Sequence, residues 1–288
     1  MLGQRVVTAV ILLAVLLGAL LLTSQPSILL ALLVVAASCA LWEWLRLTWP
    51  VKPSPGPLAC ASLFALALCA LAFLWLDPSA PEWGLRSREI AHRWLLPVVV
   101  ALWLTGGLGM VARGHTASRD GAALLSVFGV LALAAAWIAL AELFLQRGAW
   151  FLVSLLALVW VADIFAYFSG KAFGRHKLAP AISPGKTWEG AVGGVVAAAA
   201  WVALSTLWPG SFGAALRDRW SWPATLGIAV GLAALSIVGD LFESLLKRRA
   251  GVKDSSNLLP GHGGVYDRVD ALLPVAPLAF LLAQAGIR

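Results

Sequence analysis

The chain has 288 residues, 61% of them hydrophobic and only 12% charged, with a formal net charge of +7. Apolar runs of about twenty residues recur along it, the length an α-helix needs to cross a hydrocarbon core of roughly 30 Å, so it reads as an integral membrane protein. In such a chain a basic excess reflects topology and anionic headgroups or phosphates, and nucleic acid is excluded as the partner.

Nine spans are expected: Val6–Leu22, Ile28–Leu47, Leu58–Leu76, Trp94–Ala112, Ala122–Leu145, Trp150–Ser169, Trp188–Trp208, Trp222–Leu246 and Val269–Ile287. The fold class is thus an all-α polytopic bundle of about nine transmembrane helices. Arg5 precedes the first apolar run as in a signal peptide, but no small-x-small cleavage site follows, so the run reads as a retained helix. Many of the fifteen tryptophans fall at proposed span ends, among them Trp49, Trp94, Trp150, Trp188, Trp208 and Trp222, where an indole is wet on one side and apolar on the other. Cys39, Cys60 and Cys69 lie in or beside apolar spans without metal-ligand or disulfide spacing, and read as small hydrophobes.

With the N-terminus in the cytoplasm, fourteen of the 21 Lys and Arg face inward: Arg5, Arg46, Lys52, Arg113, Arg119, Lys171, Arg175, Lys177, Lys186, Lys247, Arg248, Arg249, Lys253 and Arg268. Seven remain outside (Arg86, Arg88, Arg93, Arg147, Arg217, Arg219, Arg288), an N-in, C-out arrangement that the loop of Arg86, Arg88 and Arg93 locally opposes.

Residues 1–148 read as a scaffold of transmembrane helices without convergent chemistry. Within them Glu43, in Trp-Glu-Trp near a span end, and Glu142, near the opposite end of its span, are expected to be interfacial or snorkelling carboxylates. Residues 149–288 differ, because Asp163–Gly190 and Asp240–Asp270 hold seven of the fourteen carboxylates and face one compartment. They read as halves of one cytoplasm-facing polar cleft.

In the first half, Asp163 and Tyr167 share a helix face at i, i+4. An ionisable group at that depth is costly without a partner or cavity, which makes Asp163 a functional candidate, with a structural capping or pairing role as the alternative. The helix is expected to break at Gly170 into a basic loop carrying Lys171, Arg175, His176 and Lys177, able to hold phosphate oxygens or lipid headgroups. Ser183-Pro184-Gly185-Lys186-Thr187 then leads into the next span. Its lysine and hydroxyls could contact a triphosphate, although Ser183 or Thr187 would equally serve as a helix cap.

In the second half, Asp240, Ser244 and Lys247 fall on one helix face with Glu243 beside them, among apolar neighbours, and so should line a cleft. Lys253-Asp254 precedes Pro260-Gly261-His262-Gly263-Gly264 and then Asp267-Arg268-Val269-Asp270. The i, i+3 spacing of Asp267 and Asp270 suits a shared divalent cation, and ligands that are carboxylates without cysteine favour magnesium. A salt-bridge knot at a helix start is the alternative.

The order Ser244, Lys247-Arg248, Lys253-Asp254, His262-Gly263-Gly264, Asp267-Arg268-Val269-Asp270 resembles the signature of the phosphatidate cytidylyltransferases, also called CDP-diacylglycerol synthases. Asp163, Tyr167, Gly170 and Ser183-Pro184-x-Lys186-Thr187-x-Glu189-Gly190 look like a second stretch of that family. The resemblance implies transfer of a cytidylyl group from CTP to phosphatidate, giving CDP-diacylglycerol and pyrophosphate in phospholipid biosynthesis. It implies Mg2+, with a second cation conceivable, on Asp240 and Asp267 first, then Asp270 and Asp163. Lys247, Arg248, Lys253 and Arg268 would bind triphosphate or lipid phosphate, supported by Lys171, Lys186 and Ser183, with Tyr167, Thr187, Ser244, His262, Gly263 and Gly264 completing the substrate site. A phosphate nucleophile is already ionised, so His262 is expected to hydrogen-bond phosphate or fix its turn and not to act as a base. The partners are CTP, phosphatidate and membrane lipids, a homodimer is left open, and the location is a cytoplasmic membrane. A CTP-dependent polyprenol or dolichol kinase is the nearest enzymatic alternative. An ion-coupled transporter would carry inverted repeats, which the sequence lacks.

Overall fold

A computed structural model of the chain describes residues 2–21, 25–49, 54–116 and 121–284, with the side chains of residues 2–6 and 9 excepted. Lys52, Arg119, Arg288 and the Arg5 side chain lie outside the described residues. The elements in order are α1 (Leu2–Leu21), α2 (Pro26–Thr48), α3 (Gly56–Leu76), α4 (Glu82–Ile90), α5 (Leu96–Leu102), α6 (Leu108–Arg113), α7 (Ala122–Arg147) and α8 (Ala149–Phe173). A hairpin of β1 (Lys177–Ala179) and β2 (Ser183–Thr187) follows, then α9 (Trp188–Ser205), α10 (Phe212–Arg219), α11 (Trp222–Ala250), α12 (Tyr266–Val269) and α13 (Leu272–Gln284).

Among the described residues seven helices are long and apolar enough to span a membrane, where nine were expected. A hydrocarbon core leaves backbone groups no partner but their own helix, so these long apolar segments are helical throughout. The expected first and last spans appear as shorter pieces: an apolar Val10–Leu20 within α1, and the 13 residues of α13, about 20 Å at 1.5 Å per residue. Residues 22–24 and 285–288, at their far ends, lie outside the described residues. The fourth span begins earlier than expected, because α4, α5 and α6 form one helical stretch over Glu82–Arg113. Two π-helical turns, Ala91–Leu95 and Trp103–Gly107, interrupt it. The first abuts Pro97, which lacks the N–H that an α-turn would require there.

That earlier start makes the basic loop helical and gives its charges partners. Arg86 pairs with Glu82 at 3.6 Å, Arg93 with Glu89 at 3.8 Å, and Arg88 Nε donates to Glu142 Oε1 at 2.5 Å. Glu142 is buried and also accepts from Gln146, so it is a paired core carboxylate and not the interfacial group expected.

Helices α8 and α9 pack backbone to backbone. Ala162, Ala166 and Gly170 on α8 face Gly190 and Gly194 on α9, where a Cβ at Gly190 would stand 2.8 Å from Ala166 O and one at Gly194 2.6 Å from Ala162 O. Small residues four apart let membrane helices approach this closely. Gly170 therefore serves packing and does not break α8, which continues through Phe173 and carries Lys171 on its last turn. The segment expected as a loop is partly the β1–β2 hairpin, pairing Lys177 with Thr187 and Ala179 with Ser183. One continuous set of buried apolar side chains, from Leu29 and Trp44 through Trp137 and Phe151 to Phe242 and Phe280, includes both halves of the chain.

Candidate active site

Helix α11 has 29 residues, about 43 Å against a roughly 30 Å hydrocarbon core, and its charged residues all lie in its C-terminal turns. Asp240, Glu243 and Lys247 stand on this end. Gly251, at φ +72°, closes the helix in the left-handed conformation that glycine adopts without strain. The chain then loops back so that α12 and the start of α13 lie against α11. That return is possible because position 239 is glycine: a Cβ there would stand 2.6 Å from Asp270 O and 3.0 Å from Ala271 Cα. Gly239 thus sets Asp240 beside Asp270.

The result is a cleft of about 690 Å³ shared by α8, the hairpin, α9, α11 and α12. Eleven of the residues singled out in the sequence line it: Asp163, Tyr167, Lys171, Ser183, Lys186, Thr187, Asp240, Lys247, Asp267, Arg268 and Asp270. The two polar segments therefore meet, as their composition suggested. Lys186 of the hairpin donates to Asp240 Oδ2, joining the segments directly. Asp163 feels the charges of Asp240, Lys186 and Arg268. Thr187 also caps α9, its Oγ1 accepting from Gly190 N at 3.1 Å.

The acids divide differently from their spacing. Asp240, Glu243 and Asp270 can bring one oxygen each within 4.8 Å of one another. Glu243, 1% exposed, leaves its Oε1 without a protein partner. Asp267 is turned elsewhere: its Oδ1 accepts from Lys247 Nζ at 2.6 Å, and its Oδ2 from Gly264 N at 2.7 Å, Ser255 Oγ at 2.9 Å and Ser255 N at 3.2 Å. Burial works to raise the pKa of Asp267, but the hydrogen bonds from Lys247 and the Gly264 N–H outweigh it and hold the carboxyl below the ordinary carboxylate range. In this structure Glu243 takes the place that the i, i+3 spacing gave to Asp267 beside Asp270, and Asp267 organises the loop. Lys247 bridges the two roles, lying 2.6 Å from Glu243 Oε2 as well.

Asp254 of the signature also lines the cleft, whereas Ser244, Arg248, Lys253, His262, Gly263 and Gly264 stand outside it. Arg248 Nε donates to Ile182 O at 3.1 Å, fastening the hairpin turn to α11. Ser244 is half-buried one turn beyond Asp240, and Lys253 is exposed. His262 accepts at its carbonyl from Arg268 Nη2 at 2.8 Å, while its ring Nδ1 is buried without a partner. Gly263 has φ +82°, and a Cβ there would meet Asp267 Oδ2 at 2.8 Å. The glycines and His262 thus shape the turn that presents Asp267 and Arg268.

The roles of two residues of this region escaped the sequence reading. Glu43, expected at the interface, is fully buried and reaches from α2 into the loop before α12. It accepts from Ser255 Oγ, Ser256 Oγ, Val265 N and Tyr266 N. Gly239 was also missed; no local pattern distinguishes it from other helix glycines.

Residues 3–285 match the cytidylyltransferase family. The chain belongs to that family. A phosphatidate cytidylyltransferase of Pseudomonas aeruginosa is 40% identical over 99% of this chain and 98% of its own length. One from Haemophilus influenzae is 34% identical over 96% of each chain, and one from Brucella abortus 38% identical over 76% of this chain and 83% of its own. As a cytidylyltransferase-family member with these spans, the protein is a multi-pass membrane protein.

Proposed function

We infer that the chain is a phosphatidate cytidylyltransferase, moving a cytidylyl group from CTP to phosphatidate and releasing pyrophosphate. The observation that carries this reading is the meeting, in one cleft of nucleotide-compatible size, of the hairpin lysine Lys186 with the α11–α12 acids and bases. A phosphatidate oxygen attacks the α-phosphorus of CTP, a new P–O bond forms, and the bond from the α-phosphorus to the bridging oxygen breaks. Both reactants are anions, so the site's work is to neutralise charge and align the groups in line. Lys186, Lys247, Arg268 and Lys171, all lining the cleft, provide that charge, with Ser183 and Thr187 at its hairpin wall. The nucleophile is ionised at neutral pH, so no general base is needed, in keeping with the place of His262 outside the cleft lining.

Asp240, Asp270 and Glu243 fit a divalent cation, since their oxygens converge and Glu243 Oε1 is buried without a protein partner. Carboxylate ligands favour magnesium, which when bound supplies Lewis-acid neutralisation of phosphate charge. Exposed apolar residues beside the cleft, Ile164, Phe168 and Val192, with Tyr167 at its lip, give the acyl chains a lateral route from the bilayer. The charge distribution supports an N-in topology with the cleft towards the cytoplasm, in a bacterial-type inner membrane.

Purified protein supplied with CTP, phosphatidate and magnesium should yield a liponucleotide and pyrophosphate, and chelator should abolish the reaction. Formation of CDP and a lipid monophosphate would replace this reading with a kinase. Full activity in chelator would remove the cation from it.

A further inference from the structure

We propose that Glu43 is a positioning residue for the transfer reaction, holding in register the loop and turn that present Asp267, Arg268 and Asp270. The proposal rests on the cytidylyltransfer reading above. Both oxygens of Glu43 are saturated by that one loop. Oε1 accepts from Ser256 Oγ at 2.5 Å and Val265 N at 3.0 Å, and Oε2 from Tyr266 N at 2.6 Å and Ser255 Oγ at 3.0 Å. The Val265 and Tyr266 N–H groups open α12 and have no helical carbonyl to receive them, so a carboxylate from α2 completes the turn. Four neutral donors on a fully buried acid are a costly arrangement to leave half made, because each N–H or O–H that loses its acceptor stays dehydrated.

The network continues into the cleft. The Ser255 hydroxyl stands between Glu43 Oε2 and, at 2.9 Å, Asp267 Oδ2, and its single hydrogen serves one of them at a time. Asp267 in turn holds Lys247, which holds Glu243 of the cation group. The neighbouring Trp44 clamps the same parts from the side, its ring 5.1 Å from Tyr266 and 5.5 Å from Phe242, the residues adjoining Asp267 and Glu243. One turn of α2 thus sets α11 against α12. The second glycine of His-Gly-Gly acquires a reason as well: a Cβ at Gly264 would stand 2.5 Å from Glu43 Oε2. That glycine leaves room for a carboxylate that comes from the other half of the chain.

Glu43→Gln keeps size and shape but turns one acceptor into a donor. A serine hydroxyl can rotate to suit it, whereas the Val265 or Tyr266 N–H cannot, and the loop must move. A displacement of about 1 Å at reacting groups costs on the order of 10²-fold in rate. The test compares wild type, Glu43→Gln, Glu43→Asp and Ser255→Ala as purified full-length proteins, with kcat expressed per folded molecule from the monodisperse fraction. We expect kcat of Glu43→Gln to fall at least tenfold, with the KM for phosphatidate within about threefold of wild type, and Glu43→Asp to recover part of the loss. Ser255→Ala, which keeps three of the four bonds to Glu43, should fold and lose several-fold in kcat even where Glu43→Gln yields no folded protein. Hydrogen exchange of residues 254–266 should quicken in the variants, a readout independent of turnover. Variants with wild-type kcat per folded molecule, or unchanged exchange in that loop, overturn the proposal. An inactive wild type would instead defeat the cytidylyltransfer reading and leave the exchange measurement to decide the role of Glu43.

Discussion

Replacing Lys247 by methionine tests how the cleft keeps two buried acids apart. Lys247 Nζ lies 2.6 Å from Glu243 Oε2 and 2.6 Å from Asp267 Oδ1, and the three side chains are 15%, 1% and 6% exposed. Methionine matches the stem but leaves the two carboxylates facing each other without their shared cation. Removing one member of a buried ion pair costs about 3–5 kcal/mol, because the charge left behind is dehydrated and unpaired. At roughly 2–4 °C per kcal/mol for chains of 150–250 residues, the apparent melting temperature of detergent-solubilised Lys247→Met should fall by on the order of 10 °C. Adding Glu243→Gln removes one of the facing charges and lets an amide donate to Asp267. The double variant should therefore recover about half of that fall while remaining inactive, given the phosphate-binding role proposed for Lys247. Thermal unfolding of the four proteins closes the cycle. Simple additivity, with the double variant less stable than Lys247→Met by the full cost of Glu243→Gln, would refute the idea that Lys247 acts as their common counter-ion.

The spans were legible because the hydrocarbon core permits little else over twenty apolar residues. That Asp240 and Lys247 line one cleft was legible because they share one helix face, where spacing determines facing, although Ser244 of the same face stands outside the lining. Elsewhere contacts distant in sequence decided. Gly170 reads as a helix breaker but lies within α8, where a Cβ would crowd Thr187 Oγ1 at 3.1 Å across the α8–α9 contact. The hairpin strands, Lys-Leu-Ala and Ser-Pro-Gly-Lys-Thr, lack the apolar alternation that announces a strand, and their turn is fastened by Arg248 from α11. Asp267 and Asp270 have helical spacing, yet they separate because Lys247, Ser255 and Gly264 take the first while Gly239 admits the second to Asp240. Trp42-Glu43-Trp44 looked interfacial because tryptophan favours interfaces. Trp44 is instead fully buried, and the partners of Glu43 lie more than 200 residues away.

Two further substitutions separate architecture from chemistry. Gly239→Val places side-chain carbon where Asp270 O and Ala271 Cα stand, 2.6 Å and 3.0 Å from the Cβ position, and should push α12 from α11. Overpacking of this kind costs about 1–3 kcal/mol, and kcat should fall at least tenfold per folded molecule if Asp270 must sit beside Asp240; unchanged kcat would contradict that placement. Arg88→Leu acts on the Arg88–Glu142 ion pair, none of whose residues lines the cleft. Glu142, 1% exposed, keeps Gln146 as a donor but loses its closest cation, with His92 Nε2 at 3.7 Å as the remaining basic neighbour. Apparent stability should fall by about 3 kcal/mol, while kcat and both KM values per folded molecule stay within twofold of wild type. Adding Glu142→Gln should restore most of that stability, because the uncompensated charge has then been removed along with its partner. A loss of turnover that survives this repair would mean that the α4–α7 contact communicates with the cleft, against the division of labour the geometry supports.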